Sequence, residues 1–225
     1  MITEIIEKNG IKAKVRNGTS DSFVVKECVN GEYRKLNISE SDIIVDIGLN
    51  IGMFTCYALS KGANEVHSFE PDLDNFELAK FNVDLNGFSN RCFLYNHAVV
   101  GNQDIFRDFF INVKKNKGAH SLIGKRGRDK ITVTCANINK IIEQVKPTIL
   151  KLDCEGGEYE ILKSIKSFSK INQIIMEFHH AHLNDKDKSK FHEIIELMEQ
   201  NYNHVEYRKE PKGAWVSIIY CKNDS

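Results

Sequence analysis

From about residue 41 onward, short β-branched apolar runs alternate with stretches in which apolar residues recur at helical spacing. The first run, Ile43-Ile-Val-Asp-Ile47, breaks into Gly48 and Gly52 and is followed by the amphipathic segment 53–60. That order predicts a buried strand, a tight turn and a helix. Segment 65–70 reads as a second strand ending in Glu70. Pro71 then opens a helix to about residue 85, where Asn86-Gly87 stops it. The pattern next predicts strands at 91–95, 105–113 and 131–134, a helix at 137–145 ahead of Pro147, and a buried strand at 148–153. A helix at 158–166, a strand at 172–178, a charged helix at 185–201 and strands near 203–208 and 214–221 complete the order. Strands that alternate with helices argue for an α/β fold with a doubly wound, mostly parallel sheet. The last two strands leave no room for a crossover helix, so they are expected to pair antiparallel. Residues 1–40 stand outside this alternation. Ile11-Lys-Ala-Lys-Val15 and Ser22-Phe-Val-Val-Lys26 predict a β-hairpin around Asn17-Gly18, a small β-rich extension ahead of a main domain at 41–225.

Composition narrows the class. A chain of 225 residues suits one α/β domain with a decorated end. Lysine plus arginine equals aspartate plus glutamate at 31 each, so no global field draws it to nucleic acid or to an anionic membrane. No apolar stretch approaches the ~18 residues of a membrane span, and the opening residues do not have the pattern of a signal peptide. The six cysteines are scattered, with no Cys-x-x-Cys pair, as expected of reduced thiols in a cytoplasmic setting. With three prolines and no Ser/Gly tract, the chain shows neither linker nor repeat.

The candidate chemistry gathers at strand ends, where open α/β sheets bind ligands. Glu70 closes the second strand at the spacing of a carboxylate that accepts both hydroxyls of a ribose. The turn reads Asp46-x-Gly48-x-Asn50-x-Gly52, with Asn50 where a dinucleotide site needs its middle glycine. Asp46 would repel a pyrophosphate and welcome an ammonium or sulfonium. The expected cofactor is therefore S-adenosylmethionine, which carries both cations, a ribose diol and no phosphate. Backbone at Gly48, Asn50 and Gly52 is expected to hold its methionine part, with Asp46 facing the cationic end. Glu70 and Pro71 should meet the ribose, and Asn96, His97 and Ala98 should border the adenine.

For removal of an acceptor proton the candidates are Asp153, Glu155, Glu177 and His179, with Asp153 and His179 favoured. Glu155 and Glu158 also read as acids that favour the positive end of the following helix. Strand alternation puts Glu177 and His179 on one face and Phe178 and His180 on the other, so the string ending in His182 cannot converge as a whole. A divalent ion on Glu177 and the histidines, joined by Asp153, is the alternative if the strand ends near residue 179, but no metal is assigned. Segment 114–130 holds seven basic residues and one acid. It reads as a lid over an anionic or polyhydroxylated substrate, as a grip on RNA phosphates, or as a solvated loop.

The ordered set Val45-Asp-Ile-Gly-Leu-Asn-Ile-Gly52, Phe69-Glu-Pro71, Asn82-Val-Asp-Leu-Asn-Gly87, Ala98-Val-Val-Gly101, Gly118-Ala-His-Ser-Leu122, Leu150-Lys-Leu-Asp-Cys-Glu-Gly-Gly157 and Met176-Glu-Phe178 resembles the FkbM-type family of class I S-adenosylmethionine-dependent methyltransferases. The resemblance covers roughly residues 40–180. It implies a Rossmann-like, seven-stranded sheet and methylation, commonly of a hydroxyl oxygen on a sugar or natural product. Leu49 departs from the small residue usual in the family's first loop and is expected to crowd the methionine end slightly. Residues 1–40 and 183–225 match no motif, so substrate choice is expected there. The leading expectation is an O-methyltransferase acting on a glycan or hydroxylated small molecule. The alternative is an RNA or protein methyltransferase using 114–130, and nucleic acid is disfavoured because aromatic and basic residues do not interleave. The acceptor's identity and the oligomeric state stay open.

Overall fold

The computed structural model of the protein describes residues 2–112, 120–123, 128–180, 188–209 and 216–224. Two strands, β1 (Thr3–Lys8) and β2 (Ile11–Arg16), pair antiparallel and are followed by helix α1 (Asp21–Asn30). The predicted hairpin around Asn17-Gly18 is thus displaced to Asn9-Gly10, and residues 22–26 are helical. Asn9 and Gly10 both take positive φ, as a two-residue hairpin turn needs. Val25, Cys28 and Val29 share a helical face and are buried, a spacing that outweighs the local alternation.

The central layer is a mixed seven-stranded sheet. Its members are β3 (Ile43–Ile47), β4 (Glu65–Phe69), β5 (Cys92–Tyr95), β9 (Ile149–Leu152), β10 (Gln173–His179), β11 (His204–Lys209) and β12 (Val216–Lys222). They lie in the order β11-β12-β10-β9-β3-β4-β5. All neighbours from β10 to β5 are parallel, whereas β12 is antiparallel to both β10 and β11. A second, three-stranded sheet holds β6 (Ala98–Val100), β7 (Phe106–Ile111) and β8 (Asp129–Asn137). The extra strands expected at 105–113 and 131–134 therefore pair with each other and lie outside the central layer.

Alternation along the strands explains the layers. Val45, Ile47, Leu150, Leu152, Ile174 and Met176 point to one face. There they pack with α4 (Ile138–Val145), α5 (Glu158–Ser164) and α6 (Lys188–Glu199). Ile44, Ile149 and Ile175 point the other way, against α1, α2 (Met53–Ser60), α3 (Leu73–Leu85) and β2. Side-chain amides on α3 stitch the N-terminal strands to this face. Asn82 accepts from Lys14 N at 2.7 Å and donates to Ile51 O at 2.9 Å, while Asn86 accepts from Lys12 N at 2.9 Å and donates back to Lys12 O at 2.7 Å. Strand β3 has β4 on one side and β9 on the other. The order therefore reverses there, which opens a crevice at its carboxyl end.

Candidate active site

The turn after β3 is shaped by left-handed backbone at Gly48, Asn50 and Gly52. A Cβ at Gly48 would collide with the carbonyl of Asp153, so only glycine lets the turn pass this close to the end of β9. Gly48 N and Leu49 N donate to Phe69 O at 3.1 and 3.0 Å, tying the turn to β4. Leu49 points into the core and does not border the crevice.

Glu70 is 5% exposed and accepts from Asn50 N at 2.8 Å and Asp72 N at 2.9 Å. Burial pushes its carboxyl up to about 7 despite those two donors. Beside it lies a cleft with about 540 Å³ of empty space, part of it open to solvent. Gly48, Asn50, Glu70 and Pro71 line it from the ends of β3 and β4, His97 and Ala98 from the end of β5, Phe109, His120 and Leu122 from the second sheet and the segment beside it, and Asp153, Cys154 and Glu155 from the end of β9. His97 Nδ1 is buried with no hydrogen-bond partner among the described residues. Asn96 does not line the cleft. Its side chain braces the strand end by donating to Glu70 O at 2.8 Å and Pro71 O at 3.1 Å.

Asp46 is placed differently from the sequence expectation. Register sets it opposite Lys151 across β3 and β9, both pointing beneath the turn. Lys151 Nζ stands 3.0 Å from Asp46 and donates to Gly48 O at 2.6 Å, and Thr55 Oγ1 donates to Asp46 at 2.8 Å. Burial works against the charge on Lys151, but Asp46 and Asp153 more than offset it and hold the ammonium well above its ordinary range. The Asp46 carboxylate therefore neutralises a buried lysine and does not border the cleft. Sequence reasoning overlooked Lys151. Its signal was a single cation inside the apolar run Ile149-Leu-Lys-Leu152.

The acidic residues after β9 and at the end of β10 do converge. Glu158 is fully buried and accepts from Cys154 N at 3.0 Å and Gly156 N at 3.0 Å. It also meets His179 Nδ1 at 2.9 Å. The bland reading of Glu158 as a helix-start acid is therefore incomplete, because it also orients an imidazole. His179 Nε2 faces Asp153 at 3.9 Å and Glu155 at 3.8 Å. Burial disfavours the His179 charge, but Glu158, with Glu155 and Asp153, more than offsets this and pushes the group up to about 10. The Asp153 charge, with burial, raises the Glu177 carboxyl well above its usual range. Glu155 takes positive φ, and its carbonyl accepts from Ser121 Oγ at 2.6 Å.

His180 turns away towards Ser217 Oγ at 2.8 Å and packs on Phe178 and Phe191. His182 lies outside the described residues, as does most of the basic segment 114–130. Within that segment His120 and Ser121 are buried against the cleft. Among the described residues, no helix is long and apolar enough to cross a membrane.

Comparison with known proteins agrees with this geometry. The methyltransferase FkbM domain matches residues 46–207. The hexuronic acid methyltransferase AglP of Haloferax volcanii is 28% identical over 152 residues, which are 67% of this chain and 61% of AglP. The chain thus spans under two thirds of that relative's length. The crystal structure of methyltransferase FkbM from Methylobacillus flagellatus KT aligns with a TM-score of 0.53 at 17% identity, covering 84% of this chain and 45% of that one. TrmK of M. capricolum, solved with S-adenosyl-homocysteine, aligns at a TM-score of 0.51 and 13% identity, covering 90% of this chain and 69% of TrmK. The domain match covers most of the sequence, and on that ground the chain belongs to the FkbM methyltransferase family.

Proposed function

We propose that the protein is an S-adenosylmethionine-dependent O-methyltransferase whose acceptor is a hydroxyl of a sugar, a hexuronic acid or a close relative of one. The observation that carries the reading is one cleft lined both by Glu70 and by Asp153 and Glu155. An adenosyl donor bridging those residues would set its ribose on Glu70 and its sulfonium towards the other two acids. Left-handed backbone at Gly48 and Asn50 borders the cleft and suits the methionine end, whereas Gly52 faces Ala79 of α3 and not the cleft; Pro71, Ala98 and His97, whose Nδ1 has no hydrogen-bond partner among the described residues, suit the adenosine end. Asp46 contributes from beneath, through Lys151 and the Gly48 carbonyl. TrmK's cofactor product and AglP's acceptor class support the reading by kinship.

Bound S-adenosylmethionine supplies an already activated methyl group, which leaves the protein to align the acceptor and accept its proton. An alcohol is not ionised in advance at neutral pH, so a base acting as the bond forms contributes about 10²–10⁴-fold. With its group pushed up to about 10, metal-free His179 carries its own proton at neutral pH and is a poor acceptor of another. Asp153, whose side chain is 29% exposed and borders the cleft, is assigned the base. Glu155 also borders the cleft, and Glu177 stands behind Asp153.

The test is product mass after incubation with methyl-labelled S-adenosylmethionine and separate glycan, RNA and peptide pools. Label recovered as an O-methylated uronic acid is the expected result. Label confined to RNA or peptide would replace this acceptor with the alternative.

A further inference from the structure

Asp153, which borders the cleft, belongs to a donor set that has more to offer than a base. One ligand-capable atom each from Asp153, Glu177 and His179 lies within 4.8 Å of the other two. Three donors around a divalent ion at ~2.0–2.2 Å stand about 3–4 Å apart, so closure needs side-chain shifts of about an ångström. Rotation of the Glu177 side chain can supply them.

The cluster is more than a group of acids, because its imidazole is prepared in a specific way. His179 is 7% exposed, and its Nδ1 is engaged at 2.9 Å by the fully buried Glu158. Backbone amides of Cys154 and Gly156 fix Glu158 in turn. This carboxylate–histidine arrangement sets the tautomer that turns the other nitrogen outward as a donor, as metal-ligating histidines require. Nε2 then faces Asp153 and Glu155 at 3.9 and 3.8 Å, beyond hydrogen-bond distance of either. Lys151 offsets only part of the cluster's charge, because it is shared: its Nζ stands 3.0 Å from Asp46 and 4.0 Å from Asp153. Charge and donor type favour a cation at this point, and of the three donors Asp153 borders the cleft.

We propose that Asp153, Glu177 and His179 bind one divalent cation of the Mn²⁺ type, with positions left open towards the cleft for the acceptor hydroxyl. Two carboxylates and one imidazole are a mixed set that suits Mn²⁺ better than all-oxygen Mg²⁺ or a thiolate-bound Zn²⁺ site. An ion here would hold an acceptor oxygen against Asp153 and make its proton easier to remove. A vicinal diol, as sugars carry, can fill two open positions at once. The proposal rests on the methyltransferase reading for its role, but not for the binding itself.

The experiment is titration of the full chain with Mn²⁺ alone, followed by calorimetry and by the electron paramagnetic resonance of free Mn²⁺. One ion per chain is expected. Affinity should fall by ~10–100-fold in Glu158→Gln, which leaves the three ligands in place and removes only the group that orients His179. Glu177→Gln should weaken binding at least as much, while Glu70→Ala should leave it unchanged and lose S-adenosylhomocysteine instead. Retained S-adenosylhomocysteine binding by the Glu177 and Glu158 variants shows that they are folded. Absence of saturable Mn²⁺ uptake at millimolar metal, or uptake indifferent to Glu177→Gln, would overturn the proposal. Methyl transfer that persists at full rate after exhaustive chelation would overturn its catalytic role and leave the methyltransferase reading standing. Mn²⁺ binding without methyl transfer to any pool would uphold the metal site and remove the methyltransferase reading.

Discussion

Glu70 is both the residue assigned to the ribose and a buried acid pushed up to about 7, and the two facts together set a pH dependence. The ionised carboxylate is the better acceptor for two hydroxyls, so cofactor affinity should rise as pH passes through about 7 and then level off. Between pH 6 and 8 the ionised fraction grows about tenfold, and calorimetry with S-adenosylhomocysteine should show a similar gain. Glu70→Gln should be weaker throughout and flat with pH. Without cofactor the sign for stability is opposite. A raised folded value means that the contribution of Glu70 is fully present below the unfolded carboxylate value and is lost as pH rises through about 7. Glu70 was legible from sequence because a single local rule, an acid closing the second strand of a βαβ unit, identifies it. Asp46 was misassigned because its partner is 105 positions away in the chain, and no local pattern pairs them.

At the scale of elements, β3, β9 and the turn after β3 form one unit around Lys151. Lys151→Met would leave Asp46 as a buried, unpaired carboxylate, at a cost of about 3–5 kcal/mol. Replacing both, as Asp46→Leu with Lys151→Met, should recover most of that loss, because a well-packed apolar pair often matches a buried ion pair. The double variant should still bind S-adenosylhomocysteine poorly, since Gly48 O loses the ammonium that fixes the turn. Denaturant midpoints and calorimetry on the same samples separate the two effects. Most elements of the central sheet were legible because each parallel strand is a short apolar run with a helical stretch after it. The N-terminal hairpin was not, since Asn9-Gly10 and Asn17-Gly18 are equal turn signals. Only burial of Val25, Cys28 and Val29 decides between them.

Across the whole molecule, residues distant in sequence meet because the strand order reverses at β3. Glu70 follows the strand on one side of β3 and Asp153 the strand on the other, so the groups proposed to hold the adenosyl donor and to take the acceptor proton come from opposite flanks. The strand-end rule collected Glu70, His97, Asp153, Glu155, Glu177 and His179 from sequence alone. It could not supply the rim formed by Phe109, His120 and Leu122, which depends on a second sheet paired across β7 and β8. Nor could it reveal Glu158 as the orienter of His179, which requires their 2.9 Å contact between α5 and β10.

The central claim is that the cleft between β3 and β4 receives an adenosyl donor on Glu70. A crystal structure of the protein soaked with S-adenosylhomocysteine tests it most directly. The account predicts both ribose hydroxyls on the Glu70 carboxylate, adenine against His97 and Ala98, and the sulfur directed at Asp153. A cleft left empty at saturating ligand, or a nucleotide phosphate held at the Gly48–Gly52 turn, would contradict it.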